Sequence, residues 1–277
     1  MPRTAVHYDM EVRLLTHRPL DTYSENGFAY SGDALTAAEV ALLSAATDTE
    51  FGRDSPARTV EKDGETVRAV HGCHLVNDLF ARVVRHPKLL GPAVEVLGGP
   101  VYVHQFKINA KRAVHGDVWP WHQDYIFWNR RDGMREPRAV NVAVLLDAAT
   151  PVNGPLLVVP GSHRVGTLDL RERDAGLGWR SNLAADLDYR IDGPLLAELA
   201  RGREIVQVTG HSGAVVLFDP QLVHASGANM SPHDRRMILV TYNRTDNLPD
   251  AVASPRPEFL AGTDYRPLEP WQGDLDN

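Results

Sequence analysis

The chain is poor in cysteine, which excludes two ways of stabilising a fold. Cys73 is the only cysteine among 277 residues, so no internal disulfide can form and no zinc site can be built from several thiolates. Cys73 has no evident base or second thiol, and a buried, unreactive side chain is predicted. The lack of disulfides favours a reducing compartment, and we expect a cytoplasmic protein.

Basic charge and long apolar runs are scarce as well. Lys and Arg number 29 against 36 Asp and Glu, for a formal net charge of -7, so the composition predicts no basic surface for a nucleic acid. No stretch approaches the roughly 18 consecutive apolar residues of a membrane span, and the amino terminus lacks the apolar core of a signal peptide. We therefore expect no nucleic-acid partner and no membrane association.

The hydrophobic pattern changes at the run Gly98-Gly99-Pro100. Before it, apolar residues recur at helical spacing, and Thr36 with Glu39 forms a capping-box pattern at the start of one helix. After it come short β-rich runs separated by Gly, Pro, Asn and Asp, as in a sandwich or barrel. The simplest organisation is a helical layer packed on one face of a β core.

These patterns predict a single domain that spans residues 1–277. Its predicted parts are a possible extension at 1–20, a mostly helical layer at 21–98, a β core at 99–245 with an insertion near 165–203, and a C-terminal tail at 246–277. The sequence does not set the oligomeric state.

Residues 119–128 read WPWHQDYIFW and contain a candidate metal-binding pair. Side chains alternate between faces along a strand, so His122 and Asp124 would project to the same side. His224, in QLVHASG, is the best candidate for a third ligand. Two histidines and one carboxylate are typical of non-haem Fe(II) oxygenases. The same set could also bind zinc, and an isolated His-x-Asp pattern is common by chance.

Strand parity also divides the tryptophans of this segment. Trp119 and Trp121 would both lie on the face opposite His122 and Asp124. We therefore predict that these two tryptophans are packing residues that fix the strand.

A candidate carboxylate-binding pair follows His224. The turn-rich segment GANMSPHD predicts a hairpin that would place Ser226 beside Arg235. A guanidinium with a hydroxyl beside it can hold both oxygens of a carboxylate. The alternative for Arg235 is a surface arginine next to Arg236.

The run VYVHQFKINAK predicts a strand with one polar face. The side chains on that face are Gln105, Lys107, Asn109 and Lys111. Any antiparallel strand with one solvated face shows such alternation, so a solvated edge strand remains an alternative. The short linker from Lys111 into the His-x-Asp segment favours a position near the metal.

Several blocks in fixed order carry a family resemblance: VHQFKIN, WHQDYIFW followed by DGM, RAVNVAVLLD, NGPLLVVPGSH, and HASGANMSP before Arg235. From about Asp21 to Asn243 the chain resembles the phytanoyl-CoA dioxygenase family of Fe(II)- and 2-oxoglutarate-dependent oxygenases. It looks most similar to the branch of ectoine hydroxylase and the bacterial free amino acid hydroxylases, leucine 5-hydroxylase among them. The resemblance implies a mainly β fold: a double-stranded β-helix (jelly-roll, cupin-like) core with helices packed on one sheet.

The resemblance also implies cofactors and residue roles. Iron(II), 2-oxoglutarate and O2 would together hydroxylate an unactivated C–H bond of a small molecule. The implied iron ligands are His122, Asp124 and His224; the implied 2-oxoglutarate contacts are Asn109, Lys111, Ser226 and Arg235; the implied substrate contacts are Gln105 and Trp128. No further catalytic residue is implied. Halogenases of the superfamily lack the carboxylate ligand, so Asp124 favours hydroxylation.

Departures from the ectoine hydroxylase pattern bear on the substrate. Ectoine hydroxylases have Phe, Ser, Glu and Thr where this chain has Trp119, Gln123, Ile126 and Phe127. The leucine hydroxylase type shares VHQFKIN, the HQD triplet and RAVNV more closely. We expect a free L-amino acid as substrate, aliphatic such as leucine or cyclic such as proline or pipecolate, in secondary metabolism such as antibiotic biosynthesis. The alternatives are an ectoine-type hydroxylase, a zinc hydrolase and a non-catalytic jelly-roll binding module.

Overall fold

The computed structural model describes residues 19–32, 34–172 and 187–275. The helices are α1 (Pro19–Asn26), α2 (Ala37–Gly52), α3 (Asp78–Val83), α4 (Pro87–Leu97), α5 (Tyr125–Phe127) and α6 (Gly193–Leu199). The strands are β1 (Phe28–Ser31), β2 (Arg58–Val60), β3 (Val67–His71), β4 (Val101–Lys111), β5 (Trp119–His122), β6 (Ala139–Leu145), β7 (Leu156–Val158), β8 (Val206–Val208), β9 (Val215–Phe218), β10 (His224–Ser226) and β11 (Arg235–Arg244).

Two antiparallel sheets form the core, which confirms the predicted double-stranded β-helix. The large sheet has the strand order β1-β9-β6-β11-β4-β3-β2, and the small sheet has the order β5-β10-β7-β8. Apolar side chains from both sheets pack between them, with Val158 of the small sheet and Val216, Phe218 and Leu239 of the large sheet in one buried cluster. The site residues lie on the same inner faces as this cluster.

The helical layer packs on the outer face of the large sheet, as predicted. Helix α2 begins at the expected capping box: the Glu39 amide donates to Thr36 Oγ1 at 3.2 Å, and the Thr36 amide donates to Glu39 Oε2 at 2.7 Å. Leu43, Phe80 and Leu89 of α2, α3 and α4 are fully buried in one cluster with the outward side chains of the large sheet. Three further strands, β1 to β3, interrupt this layer and extend the large sheet.

Strand β4 has the predicted bounds, and it is not the solvated edge strand that the sequence left as an alternative. It is paired on both sides, with β11 and with β3. Phe106 and Ile108 face the helices and are fully buried. The polar side chains of the opposite face point between the two sheets, where Lys111 is 1 % exposed. A face of amide and ammonium groups at the centre of a sandwich needs a polar ligand or partners.

The tail at 246–275 runs back along the core. The amide of Gly262 donates to the His104 carbonyl at 2.7 Å, and the amide of Leu268 donates to the Val101 carbonyl at 2.9 Å. Of the predicted extension and insertion, residues 1–18 and 173–186 lie outside the described residues, and α6 occupies the end of the insertion. No helix in the described ranges is long and apolar enough to cross a membrane.

Replacing the cap residue Thr36 by Ala should lower the free energy of unfolding by about 1 kcal/mol, because an amide at the start of α2 loses its acceptor. Denaturant titration measures the change. Thr49→Ala is the matched control, since Thr49 is exposed on the same helix and its hydroxyl donates only to the Ala45 carbonyl. We expect no loss for the control, and equal losses in both variants would contradict the capping role.

Candidate active site

The metal-binding pair is divided between a strand and a helical turn. The prediction of one strand through His122 and Asp124 is wrong, because β5 ends at His122 and Asp124 has helical angles of φ -74 and ψ -38. The Tyr125 amide donates to the Pro220 carbonyl at 2.9 Å and turns the chain into α5. The turn nevertheless keeps both side chains on the inner side.

His122, Asp124 and His224 form a compact buried cluster. One ligand atom from each lies within 4.8 Å of the others. Asp124 Oδ1 is 3.5 Å from His122 Nε2, and Asp124 Oδ2 is 3.7 Å from His224 Nε2. The two histidines are paired across β5 and β10, which fixes their relative position. Two imidazole nitrogens and one carboxylate that face a common position match the ligand set of a non-haem iron site.

Hydrogen bonds behind the cluster orient each ligand. Nδ1 of His122 lies 2.6 Å from the Pro120 carbonyl, and Nδ1 of His224 lies 2.9 Å from the Leu222 carbonyl. A carbonyl can only accept, so the proton sits on Nδ1 in both rings and the Nε2 lone pair faces the cluster.

Asn141 and Thr241 hold the carboxylate of Asp124. Asn141 Nδ2 donates to Asp124 Oδ2 at 2.8 Å, and Thr241 Oγ1 donates to Asn141 Oδ1 at 2.7 Å. Both supporting side chains are at most 1 % exposed. The sequence patterns assign no role to Asn141. Such outer hydrogen bonds fix the geometry of metal ligands.

The protonation states in the cluster suit metal binding. Burial opposes ionisation of Asp124, but His224, Lys107 and His122 outweigh it and hold the pKa of Asp124 below its usual value. Burial, followed by the neighbouring His122, lowers the pKa of His224 to about 4. An ionised carboxylate and a neutral imidazole are the forms that bind a metal ion.

Ser226 and Arg235 both reach the cluster's pocket, but not through a hairpin. Strand β10 pairs with β5 and β7 of the small sheet, whereas β11 pairs with β4 and β6 of the large sheet. The predicted hairpin is therefore wrong, because the segment between them crosses from one sheet to the other. Both side chains line the pocket that contains His122, Asp124 and His224.

Arg235 is a buried cation without a carboxylate partner among the described residues. It is 3 % exposed, and its guanidinium donates to Met237 Sδ at 2.9 Å and to the Gly154 carbonyl at 2.6 Å. In the described part of the chain, its Nε has no partner, and neither has Oδ1 of Asn109 in the same pocket. Burial lowers the pKa of Arg235 to about 10, which leaves it charged at neutral pH. A buried guanidinium with a free donor is suited to an anionic ligand.

Lys111 lies behind Arg235 and is the only predicted site residue that does not line the pocket. The two are register partners across β4 and β11, and Lys111 Nζ donates to the Asp117 carbonyl. Burial, followed by Arg235 and Arg68, lowers the pKa of Lys111 to about 6. An anion bound between these cations would stabilise the charged form of Lys111.

Trp119 does not lie on the face predicted for it. The register between β5 and β10 shifts, so that Trp119 pairs with Ser226 and lines the pocket. A β-bulge of this kind reverses the side-chain parity, and nothing in the local sequence indicates it. The Arg68 guanidinium stacks 3.8 Å above the Trp119 ring. Trp121 behaves as predicted and packs on the cluster that contains Ile191.

The far end of the pocket contains the two predicted substrate contacts. Gln105 and Trp128 line it, and Gln105 Nε2 donates to the Leu260 carbonyl of the tail at 2.8 Å. Sequence reasoning missed two other residues of this end, His71 and Arg256. Their local sequences show no periodicity or motif, and only the pairing of β3 with β4 and the return of the tail bring them here.

The donor set therefore fits Fe(II), and the unpaired Arg235 fits the distal carboxylate of a 2-oxo acid. Both open onto one pocket, which Phe127, Leu156 and Phe218 line with apolar surface. Apolar walls limit the water that reaches a bound ligand.

Removing the amide that holds Asp124 should weaken metal binding. We expect Asn141→Ala to reduce Fe(II) affinity roughly 10- to 100-fold, because the carboxylate loses its orienting donor. Thr241→Val should have a smaller effect in the same direction, and Thr241→Ser, which keeps the hydroxyl, should have none. Anaerobic titration of the metal-free protein measures the affinities. Wild-type affinity in Asn141→Ala would refute the orienting role.

Known proteins are similar to this chain in sequence and fold. The family model of phytanoyl-CoA dioxygenase (PhyH) matches residues 23–237. An L-proline trans-4-hydroxylase of Streptomyces griseoviridis is 43% identical over 223 residues, which are 79% of this chain and 82% of that protein. An ectoine dioxygenase of Halomonas elongata is 35% identical over 269 residues, 94% of this chain and 79% of that protein.

A solved structure agrees in fold over nearly the whole chain. EctD from S. alaskensis, crystallised with 2-oxoglutarate and 5-hydroxyectoine, superposes with a TM-score of 0.82 at 31% identity, over 94% of this chain and 89% of that one. The same enzyme with bound Fe gives a TM-score of 0.78. Together with the clustered ligand set, these matches establish Fe(II), 2-oxoglutarate and O2 as the cofactors. The chain belongs to the phytanoyl-CoA dioxygenase family and is a 2-oxoglutarate-dependent non-haem iron dioxygenase that acts on a small molecule.

Proposed function

We propose that this dioxygenase hydroxylates a free L-amino acid, with His122, Asp124 and His224 as its iron ligands. One observation carries the assignment of roles: the ligand cluster and the unpaired Arg235 open onto the same buried pocket. A metal beside an anion-binding guanidinium is what 2-oxoglutarate requires, because this 2-oxo acid has a carboxylate at each end.

The polar groups around Arg235 form the proposed co-substrate site. Arg235 would bind the distal carboxylate through its free Nε, with the Ser226 hydroxyl as an additional donor. Asn109 offers an amide in the same pocket. Lys111, the register partner of Arg235, would support the site from behind, because a bound anion stabilises its charged form. The Gly154 carbonyl keeps the guanidinium in place, and a Cβ on Gly154 would lie 2.5 Å from the Gly227 carbonyl oxygen.

When bound, Fe(II) and 2-oxoglutarate supply the oxidising chemistry: O2 provides the oxygen of the new hydroxyl, and 2-oxoglutarate is converted to succinate and carbon dioxide. The chain's own residues position and shield the reactants. Trp128 and Phe127 present apolar surface to the substrate's C–H bonds and exclude water, while Gln105 offers a polar contact at the substrate end.

The relatives and the pocket walls favour an amino acid over ectoine. The proline hydroxylase is 43% identical, against 35% for the Halomonas ectoine dioxygenase. Two of the departures from the ectoine hydroxylase pattern, Trp119 and Phe127, line the pocket. The remaining two are structural, since Gln123 bonds the Gln221 carbonyl and Ile126 is buried in an apolar cluster. L-proline is therefore the first candidate substrate.

The relatives described above give no support to a zinc hydrolase or a non-catalytic binding module. A zinc hydrolase would not need the unpaired Arg235, and a binding module would not need three buried metal ligands held by Asn141. We place the reaction in the cytoplasm, where Fe(II) stays reduced and free amino acids and 2-oxoglutarate are both present.

The substrate proposal is tested by incubating the protein with Fe(II), 2-oxoglutarate and O2 and a panel that includes L-proline, L-pipecolate, L-leucine and ectoine. We expect succinate together with an amino acid one oxygen heavier, read by mass spectrometry. Omission of O2 should abolish both. Succinate and product with ectoine alone would refute the amino acid assignment and leave the dioxygenase assignment intact.

The co-substrate site is tested at two neighbouring arginines. We expect Arg235→Gln to raise the KM for 2-oxoglutarate roughly 100-fold, because a charged, buried hydrogen-bond donor to a carboxylate is lost. Arg236→Gln is the matched control: Arg236 points away from the pocket and pairs with Asp147 at 2.9 Å and with Asp48 at 2.8 Å. It should lower stability without raising this KM. An equal KM in the two variants would contradict the proposed role of Arg235.

A further inference from the structure

A second cation lines the pocket far from Arg235. Lys107 lies on the inner face of β4, and no hydrogen bond or ion pair joins its ammonium to any described residue. Asp124, the acidic group that influences it, is engaged by Asn141 and directed at the two histidines. A partly buried ammonium without a counter-ion costs folding free energy and is suited to an anionic ligand.

His71 lies beside Lys107 and is also unpartnered. The two residues are register partners across β3 and β4, so their side chains share one face. His71 is 5 % exposed and lines the pocket, and neither of its ring nitrogens has a hydrogen-bond partner in the part of the chain that the structure describes. Burial, followed by Lys107 and Arg256, lowers the pKa of His71 to about 3. The ring is therefore neutral at physiological pH and has one N–H to donate.

The other cation of this end is already neutralised. Arg256 donates to Asp132 through two nitrogens, at 2.6 and 2.5 Å. His104 Nε2 lies 3.1 Å from the same carboxylate. Among the described residues, the charge that remains without a partner at this end is thus the one on Lys107.

Lys107 and Arg235 lie at separate levels of the paired strands β4 and β11. Lys111 pairs with Arg235, whereas Lys107 pairs with Leu239. Four residues of strand separate the two levels by about 13 Å. With 2-oxoglutarate extended from the ligand cluster to Arg235, the Lys107 level of the pocket remains available to a second anion.

We propose that Lys107 and His71 form a carboxylate-binding subsite that anchors the substrate, so that the enzyme selects molecules with a free carboxylate. The inference rests on the proposed function, since it identifies which group of the amino acid is bound and where. Lys107 provides the charge and His71 a neutral N–H donor. The positive charge of Lys107 makes the location unfavourable for the substrate's ammonium group, which is thereby directed away from this subsite.

The charge is tested by Lys107→Met, which keeps the length of the side chain. We expect the KM for the amino acid converted by the wild type to rise roughly 10- to 100-fold, and the KM for the co-substrate 2-oxoglutarate to rise much less. Melting temperature should stay the same or rise, because an unpaired buried charge is removed. If Lys107 served only to stabilise the fold, the substitution would lower the melting temperature. Lys88→Met, at an exposed position of α4, is the control and should change neither KM.

The imidazole is tested by His71→Phe and His71→Gln. We expect His71→Phe to raise the substrate KM roughly 3- to 10-fold, because a neutral hydrogen bond is lost. His71→Gln retains a donor and should raise this KM less. Calorimetry of the anaerobic protein loaded with Fe(II) and 2-oxoglutarate should show the same order of affinities without turnover.

The carboxylate itself is tested by comparing the converted amino acid with its amide, for instance L-proline with L-prolinamide. We expect the wild type to prefer the acid and Lys107→Met to lose most of that preference. Equal use of acid and amide by the wild type would overturn the subsite and leave the proposed function standing, as would a larger rise in the co-substrate KM than in the substrate KM. Succinate formation with no turnover of any carboxylate in the panel would overturn the substrate class and the subsite together.

Discussion

The carboxylate of Asp124 is a negative charge buried between two sheets, and the polar side chains around it hold it in place. Its two oxygens face His122 and His224, and the amide of Asn141 fixes its rotation. Thr241 in turn fixes the amide. These groups come from both sheets and the turn after β5, so both sheets must be assembled before the cluster exists. The antiparallel sandwich is in this sense the frame that brings distant polar residues to one point.

The inner face of β4 shows how charge is distributed around this point. Arg235 and Lys111 lie at one level of the strand, and Lys107 lies at another, with the His-Asp-His cluster in the same pocket. Buried or partly buried cations without a counter-ion are unfavourable. Their presence at two levels of the core means that the unliganded protein holds unfavourable electrostatic energy, which two anionic reactants would relieve on binding.

Much of this could be predicted from the sequence because it depends on local pattern. The capping box of Thr36 and Glu39, the bounds of β4 and the alternation of its faces follow from periodicity. The blocks around His122 and His224 identified the family. The predictions that failed depended on tertiary contacts. The turn at Asp124 is held by the Pro220 carbonyl, and the crossing of the chain before Arg235 is set by the sheet with which each strand pairs. The parity of Trp119 was lost to a bulge with no sequence signal.

The C-terminal tail is a second region whose tertiary contacts could not be predicted from the sequence. It is rich in proline and carries no periodic pattern, yet it places Arg256 in the pocket and holds Gln105 through the Leu260 carbonyl. Nothing about such a segment can be derived from the properties of helices or strands. Its position depends on single contacts, among them the pairing of Arg256 with Asp132 and the packing of Phe259 against Gly72.

The proposed metal site and the proposed substrate end are therefore built partly from different segments of the chain. All three proposed metal ligands precede the end of β11, whereas Arg256 at the substrate end and the Leu260 carbonyl that holds Gln105 both follow it. Changes in the segment after β11 can therefore reshape what the pocket accepts without disturbing the strands that carry the His-Asp-His cluster. A lineage could acquire new substrates by exchanging its carboxyl-terminal segment alone, and chimaeras joined just after β11 offer a direct route to altered selectivity in the laboratory.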